Sequence, residues 1–366
     1  MMIDRGHRLK KLRRQLSRRR LDCLLVTGKE NIYYLSGFSG DDNWLLVTGD
    51  RAFLITDFRY RGRAEEELTL ECELRVRSSA SLSDTVAALC RELSLKRPGY
   101  EEHHLSCAQF NSLKRSLKGR KWRPAGSRVE EIRMIKDPEE ISLLRESARL
   151  TGRVLNQVMS RARSGLTEKE LAGHLTSAFI KRGCEAAFPP IVAGGGHSSQ
   201  PHAASSGRQF GPGKILLVDL GMKRRFYNSD MTRTFVLNTF PRRFKTIYRA
   251  VMGARKKALQ EIRPGVKASF VDARARDYLA EKGYGSYFGH SLGHGVGLEV
   301  HERPLISAGS GDIIEVGMVF TIEPGVYIPG WGGIRIEDMV LVTDNGCEVL
   351  TTYPKDLLSM VLNGDW

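Results

Sequence analysis

Residues 288–302 read FGHSLGHGVGLEVHE, with three histidines, His290, His294 and His301, set among glycines at 289, 293, 295 and 297. Glycine gives up more backbone freedom on folding than any other residue, so four in one loop mark a chain that turns sharply or admits a close neighbour. Histidine is the commonest metal ligand and moves protons near neutral pH. The loop therefore reads as part of an active site. By itself it names no reaction, and a glycine-rich turn with incidental histidines fits it as well.

Working outward, the flanking chain holds acids inside apolar runs, where solvation alone would not put them. Asp219 ends KILLVDLG (214–221), and Asp230 follows eleven residues later in YNSDMTRT, just before RTFVL. That spacing fits two strands of a hairpin with both carboxylates on one face. Glu323 sits within FTIEPGVY and Glu337 within GIRIEDMVLV. Carboxylates are rarely buried unless paired or bound to metal. Four of them carry −4, which two divalent cations would cancel.

Length and composition set the frame. A chain of 366 residues with 41% hydrophobic and 27% charged side chains is expected to form two domains or one large one. No apolar run is long enough to cross a bilayer, and the basic first twenty residues lack the apolar segment of a signal peptide. A cytoplasmic location without membrane association is expected. The six cysteines are scattered and form no CxxC pair, which argues against both a disulfide framework and a thiolate zinc site. Net charge is 57 − 42 = +15, and the densest basic block, HRLKKLRRQLSRRR (7–20), carries leucines at helical spacing. An amphipathic first helix with a solvated cationic face accounts for the block, so nucleic acid is not an expected partner.

Along residues 1–128, short apolar runs at 22–26, 44–49, 52–56 and 74–77 alternate with helical patterns at 81–96 and 106–119. This predicts an α/β domain with a mixed sheet. Residues 129–366 open on a helix signal, Asp137-Pro138-Glu139-Glu140, with a cap, a proline at the first turn and a glutamate three residues on. A second box, Thr167 to Glu170, opens another helix, and two more are expected at 241–262 and 269–282. Strands are expected at 186–193, 214–221, 233–237, 318–328 and 334–343. Helices beside runs of strands predict an α+β domain with an antiparallel sheet and its helices on one face.

Asp219, Asp230, His294, Glu323 and Glu337 resemble the dinuclear metal site of the M24-type "pita-bread" metallopeptidases, the creatinase/methionine aminopeptidase superfamily. The motifs VDLG, YNSDMTRT, SLGHGVGLEVHE, TIEPG and GIRIED occur in family order across 130–350. Gln200-Pro201-His202 and the extra N-terminal domain resemble the proline-specific branch, Xaa-Pro aminopeptidase and Xaa-Pro dipeptidase (prolidase). Creatinase shares the fold and a similar N-terminal domain but lacks the full ligand set. The resemblance implies a creatinase-like α/β N-terminal domain (1–128) and a pita-bread catalytic domain (129–366). It further implies cleavage after the first residue of a peptide with proline second, and a homodimer. A methionine aminopeptidase or creatinase type of hydrolase, or a non-catalytic binding protein on this scaffold, are the alternatives.

By the same resemblance Asp219 holds one metal, His294 and Glu323 the other, and Asp230 and Glu337 bridge both. An oxygen-rich set with one imidazole favours Mn²⁺, while Zn²⁺, Co²⁺ and Fe²⁺ also suit these donors. Two such ions can hold a water as hydroxide for attack on the scissile carbonyl. Glu323 is implied as general base, with His202 and His301 as proton or hydrogen-bond donors. His290, Arg335, Tyr227 and Thr232 are expected around the substrate or behind the ligands, with Arg335 holding a ligand carboxylate by a paired bond.

Overall fold

Helix α1 (Arg5–Arg18) shows how the basic N-terminal run folds: Leu9, Leu12 and Leu16 are buried, while Lys10, Arg14 and Arg18 stay in solvent. The computed structural model describes residues 4–362 apart from 163–164, 212 and 240. The chain divides into two units, 1–133 and 134–366.

In the first unit the strands are β1 (Cys23–Val26), β2 (Trp44–Thr48), β3 (Ala52–Asp57), β4 (Glu73–Arg77), β5 (Pro98–Tyr100) and β6 (Arg123–Pro124). They form one sheet in the order β4-β3-β2-β1-β5-β6. Pairing is antiparallel at β1–β2 and β2–β3 and parallel elsewhere, the mixed sheet expected of α/β. Every residue of β1, β2 and β3 is buried, as near-continuous apolar strands require. Helices α2 (Lys29–Ser36), α3 (Arg61–Glu67), α4 (Leu82–Glu92), α5 (Cys107–Ser116) and α6 (Arg128–Arg133) complete the unit.

The second unit begins with α7 (Pro138–Met159) and α8 (Glu168–Ile180), both started by the capping boxes visible in the sequence. Later come α9 (Arg242–Glu261) and α10 (Ala268–Glu281). The strands do not share one sheet. A three-stranded sheet joins β7 (Glu185–Ala186), β10 (Met222–Arg224) and β11 (Tyr227–Asn228). A four-stranded sheet joins β8 (Ile191–Gly194), β9 (Ile215–Leu220), β12 (Met231–Leu237) and β20 (Val361–Leu362). A five-stranded sheet joins β13 (Gly293–Gly295), β14 (Glu302–Ile306), β15 (Val319–Ile322), β18 (Asp338–Thr343) and β19 (Gly346–Val349). A separate hairpin pairs β16 (Gly325–Ile328) with β17 (Gly332–Arg335).

Three runs expected as single strands are therefore broken, each for a local reason. Pro189 and Pro190 interrupt 186–193 between β7 and β8. Pro324 has no N–H to donate, so the chain leaves the five-stranded sheet after Ile322 and resumes in the hairpin. Between Arg335 and Asp338 the amide of Glu337 turns to Thr232 O on the other sheet (3.1 Å). The last two breaks each place a glutamate where the chain switches sheets. No helix among the described residues is long and apolar enough to cross a membrane.

Candidate active site

The acids come together because of strand register. Asp219 on β9 lies opposite Thr232 on β12, and Asp230 precedes Thr232 by two residues, so all three face the same side. His294 projects from β13, which runs antiparallel to β15, and Glu323 and Glu337 sit at the two breaks. The cluster thus straddles the four- and five-stranded sheets. Asp219, Asp230, His294 and Glu337 are buried.

Donor atoms of Asp230, His294 and Glu337 lie within 4.8 Å of one another, an arrangement able to hold a metal ion. The imidazole of His294 points its Nδ1 at Gly295 O (3.1 Å), which assigns the proton to Nδ1 and leaves Nε2 bare. That Nε2 faces Glu323 Oε1 at 3.4 Å and Asp230 Oδ2 at 3.7 Å, too far for strong hydrogen bonds. Asp219 Oδ1 and Asp230 Oδ1 are buried without a hydrogen-bond partner. Burial, then repulsion from neighbouring carboxylates, raises the Asp230 and Glu337 carboxyls well above the usual range. Burial pushes Glu323 up to about 8 and His294 down to about 4. Bare lone pairs and crowded carboxylates aimed at one point are the donor set a divalent cation satisfies, and these residues fit one.

Behind them stands a second set of contacts. Arg335 donates from Nη2 to Asp219 Oδ2 (2.7 Å), from Nε to Thr232 Oγ1 (2.9 Å) and from Nη1 to the Tyr327 hydroxyl (2.8 Å). Its grip on Asp219 is a single bond, not the paired bond expected, because the other donors serve Thr232, Tyr327 and Pro201 O. Thr232 Oγ1 in turn donates to Glu337 Oε2 (2.7 Å). His290 Nδ1 sits 2.7 Å from Ser291 O, so its bare Nε2 accepts from the Tyr327 hydroxyl at 3.0 Å. On the far side of the seam Arg233 reaches Glu337 O (2.6 Å) and Asp338 Oδ1 (2.7 Å), tying the two sheets together behind the acids.

The remaining expected residues separate. His301 is exposed, with its ring centroid 4.2 Å from that of His294. Burial and then His202 lower its pKa. His202 is also exposed, and its charge bears on both His301 and His290. Tyr227 goes elsewhere. It is fully buried and its hydroxyl donates to Glu140 Oε1 (3.0 Å), bracing the capping box of α7. It flanks Asp230 in sequence, but a residue three before a strand-facing acid points to the opposite side.

Two participants escape the sequence reading. Thr321 Oγ1 accepts from His294 N (3.0 Å) and donates to Glu323 Oε1 (3.3 Å). Tyr327 joins Arg335 to His290, and lies opposite Gly333, whose absent side chain gives the ring room. An aromatic three residues beyond the glutamate-proline break, facing a double glycine, was the available signal. Two of the loop glycines do admit a close neighbour, and it is the protein's own backbone. A side chain at Gly293 would sit 1.9 Å from Thr321 O, and one at Gly295 would sit 2.2 Å from Arg303 O, so the protein's own strands fill that space.

A family model described as metallopeptidase family M24 matches residues 142–344, and one described as the creatinase/prolidase N-terminal domain matches 8–135. The peptidase YqhT of Bacillus subtilis is 36% identical over 96% of this chain and 99% of its own length. The solved Xaa-Pro dipeptidase from Bacillus anthracis is 35% identical, covers 98% of this chain and 100% of its own, and superposes with a TM-score of 0.94. The X-Pro aminopeptidase from Thermotoga maritima MSB8 is 32% identical, covers 96% and 100%, and has a TM-score of 0.88. The M24 match spans every strand that carries an acid or imidazole of the cluster, and its members work with divalent metal ions. Fold, site and relatives agree: the chain is an enzyme belonging to metallopeptidase family M24, its catalytic unit preceded by a creatinase/prolidase N-terminal domain.

Proposed function

We propose that this enzyme hydrolyses the bond between the first residue of a substrate and a following proline. The dipeptide is the substrate we infer, because the Xaa-Pro dipeptidase above has the higher TM-score and identity of the two solved relatives described. The observation that carries the reading is the buried grouping of Asp230, His294 and Glu337 within 4.8 Å. Asp219 and Glu323 would complete the set that holds two divalent ions, with Mn²⁺ favoured by the hard oxygen donors. When bound, the ions would acidify the attacking water and polarise the scissile carbonyl.

The chain's own side chains supply the rest. Glu323 takes the proton released by the attacking water. The proline nitrogen has no N–H in the peptide and departs only once protonated, so an imidazole must deliver a proton to it. His301, beside His294, gives up its N–H proton to do so and is restored by the proton that Glu323 took from the water, and His202 donates a hydrogen bond across the substrate. The water oxygen ends on the carboxylate of the first residue, and the carbon–nitrogen bond breaks as the nitrogen gains its proton. A homodimer is part of this reading through the family resemblance, and six free cysteines suit a reducing cytoplasm.

Hydrolysis of Ala-Pro, Gly-Pro and a longer Ala-Pro-Ala-Ala peptide, with and without Mn²⁺, tests the reading. Metal-dependent release of free proline from the dipeptides supports it. Cleavage of only the longer peptide would make the enzyme an aminopeptidase, and no Xaa-Pro cleavage with any divalent metal sinks the proposal.

A further inference from the structure

His202 lies on an irregular segment between β8 and β9, with no helix or strand of its own to hold it. Such a loop can still be rigid when its two ends are closed by a buried group. Glu168, in the first turn of α8, is that group. It is 0% exposed, and its carboxylate accepts from Gly194 N (2.8 Å), Ser206 N (3.0 Å), Ser206 Oγ (2.6 Å) and His197 Nδ1 (2.9 Å). These donors stand at the start, the early turn and the end of one loop. Burial alone would raise the carboxyl, but the donors outweigh it and hold its pKa below the ordinary value.

The loop so gathered touches the site at two further points. Ser198 Oγ accepts from Gly333 N (2.8 Å) on the β17 side of the hairpin. Pro201 O, next to His202, accepts from Arg335 Nη1 (3.1 Å), the same guanidinium that holds Asp219. The loop's end is also tied to α8 by backbone bonds, Lys169 N to Ser206 O (2.9 Å) and Glu168 N to Arg208 O (3.0 Å), which need no carboxylate. Removing the charge therefore releases the start and turn of the loop without detaching its end.

We propose that Glu168 is a positioning residue that clamps residues 194–206 and thereby fixes His202 beside the scissile bond. The proposal rests on the Xaa-Pro reading for His202's role, but not for the clamp itself. Glu168→Gln is nearly isosteric and replaces one acceptor oxygen with a donor, so it cannot satisfy all four N–H and O–H partners.

Two measurements test it. Hydrogen exchange by mass spectrometry on full-length protein is expected to quicken over 194–205 in Glu168→Gln while peptides covering β9 and β12 keep their protection. Unchanged exchange over 194–205 overturns the clamp whatever the enzyme's substrate. In kinetics on the Xaa-Pro dipeptide, Glu168→Gln is expected to lower kcat by about 10²-fold, the cost of a misplaced group. KM should stay within about threefold, with metal content unchanged. Added to His202→Ala, the same substitution should cost little further, because the two act through one another. Equal losses in both backgrounds, or loss of metal, contradict positioning of His202. Failure of the wild type to cleave any Xaa-Pro substrate would overturn the functional reading, leaving the exchange result to decide the clamp.

Discussion

Arg335 Nη2 donates to Asp219 Oδ2 at 2.7 Å, joining the buried guanidinium to the carboxylate whose other oxygen has no partner. One oxygen is fixed by protein and the other is left for a cation. In the proposed reading, Arg335 would hold Asp219 in place for a metal while leaving its other oxygen free.

Replacing Arg335 by Met should weaken metal binding by about 10–100-fold, the usual cost of losing a partner that orients a ligand. Arg335→Lys should recover only part, since an ammonium cannot reach Asp219, Thr232 and Tyr327 together. Isothermal titration with Mn²⁺ reads both. Affinity equal to wild type in Arg335→Met would remove the residue from the metal site.

The division of labour between ligands and imidazoles predicts two different losses. Asp230→Asn should abolish turnover and metal binding together. His301→Ala should lower kcat by about 10²–10⁴-fold, the range for a general acid, while metal content stays near normal. Parallel metal loss in both variants would contradict the separation.

His290 gives a pH signature. Burial first, then the charge of Arg335, hold its pKa at about 4, against an ordinary 6.5. The group is neutral in the fold and must stay so to accept the Tyr327 hydroxyl. Its contribution to stability is complete above about pH 6.5 and is lost as pH falls towards 4, amounting to about 3 kcal/mol at most. Denaturant unfolding of wild type and His290→Gln between pH 7 and 4 should show the wild type's advantage shrinking on the acid side. Parallel profiles would show that His290 does not titrate there.

Arg233 predicts a purely structural effect. It is fully buried and bridges the carbonyls of Thr232 and Glu337 as well as Asp338. Arg233→Met leaves buried acceptors and part of the Asp338 charge uncompensated, which should cost about 3–5 kcal/mol. A loss below about 1 kcal/mol in denaturant unfolding would mean that the seam is held by other contacts.

How far the sequence reaches is clear from these residues. The eleven-residue spacing of a hairpin put Asp219 and Asp230 on one face, and the β9–β12 register agrees, with Asp219 opposite Thr232. Both capping boxes form as written, because their chemistry is local. What alternation could not show is a strand changing sheets. Glu323 and Glu337 lie inside apolar runs that read as continuous, and only the tertiary pairing reveals that each run is split at its acid. Tyr227 misled for the same reason: proximity to Asp230 in sequence is not proximity in a pleated strand. Glu168 was legible only as an acid in a helix's first turn, since its partners are some 26 to 38 residues away.

The most direct test of the central claim is a metal titration of chelator-treated enzyme with turnover of Ala-Pro followed at each step. The account predicts no turnover without metal and full turnover on binding two Mn²⁺ per chain. Full activity in the metal-free enzyme, or saturation of Mn²⁺ binding without any Xaa-Pro hydrolysis, would contradict it.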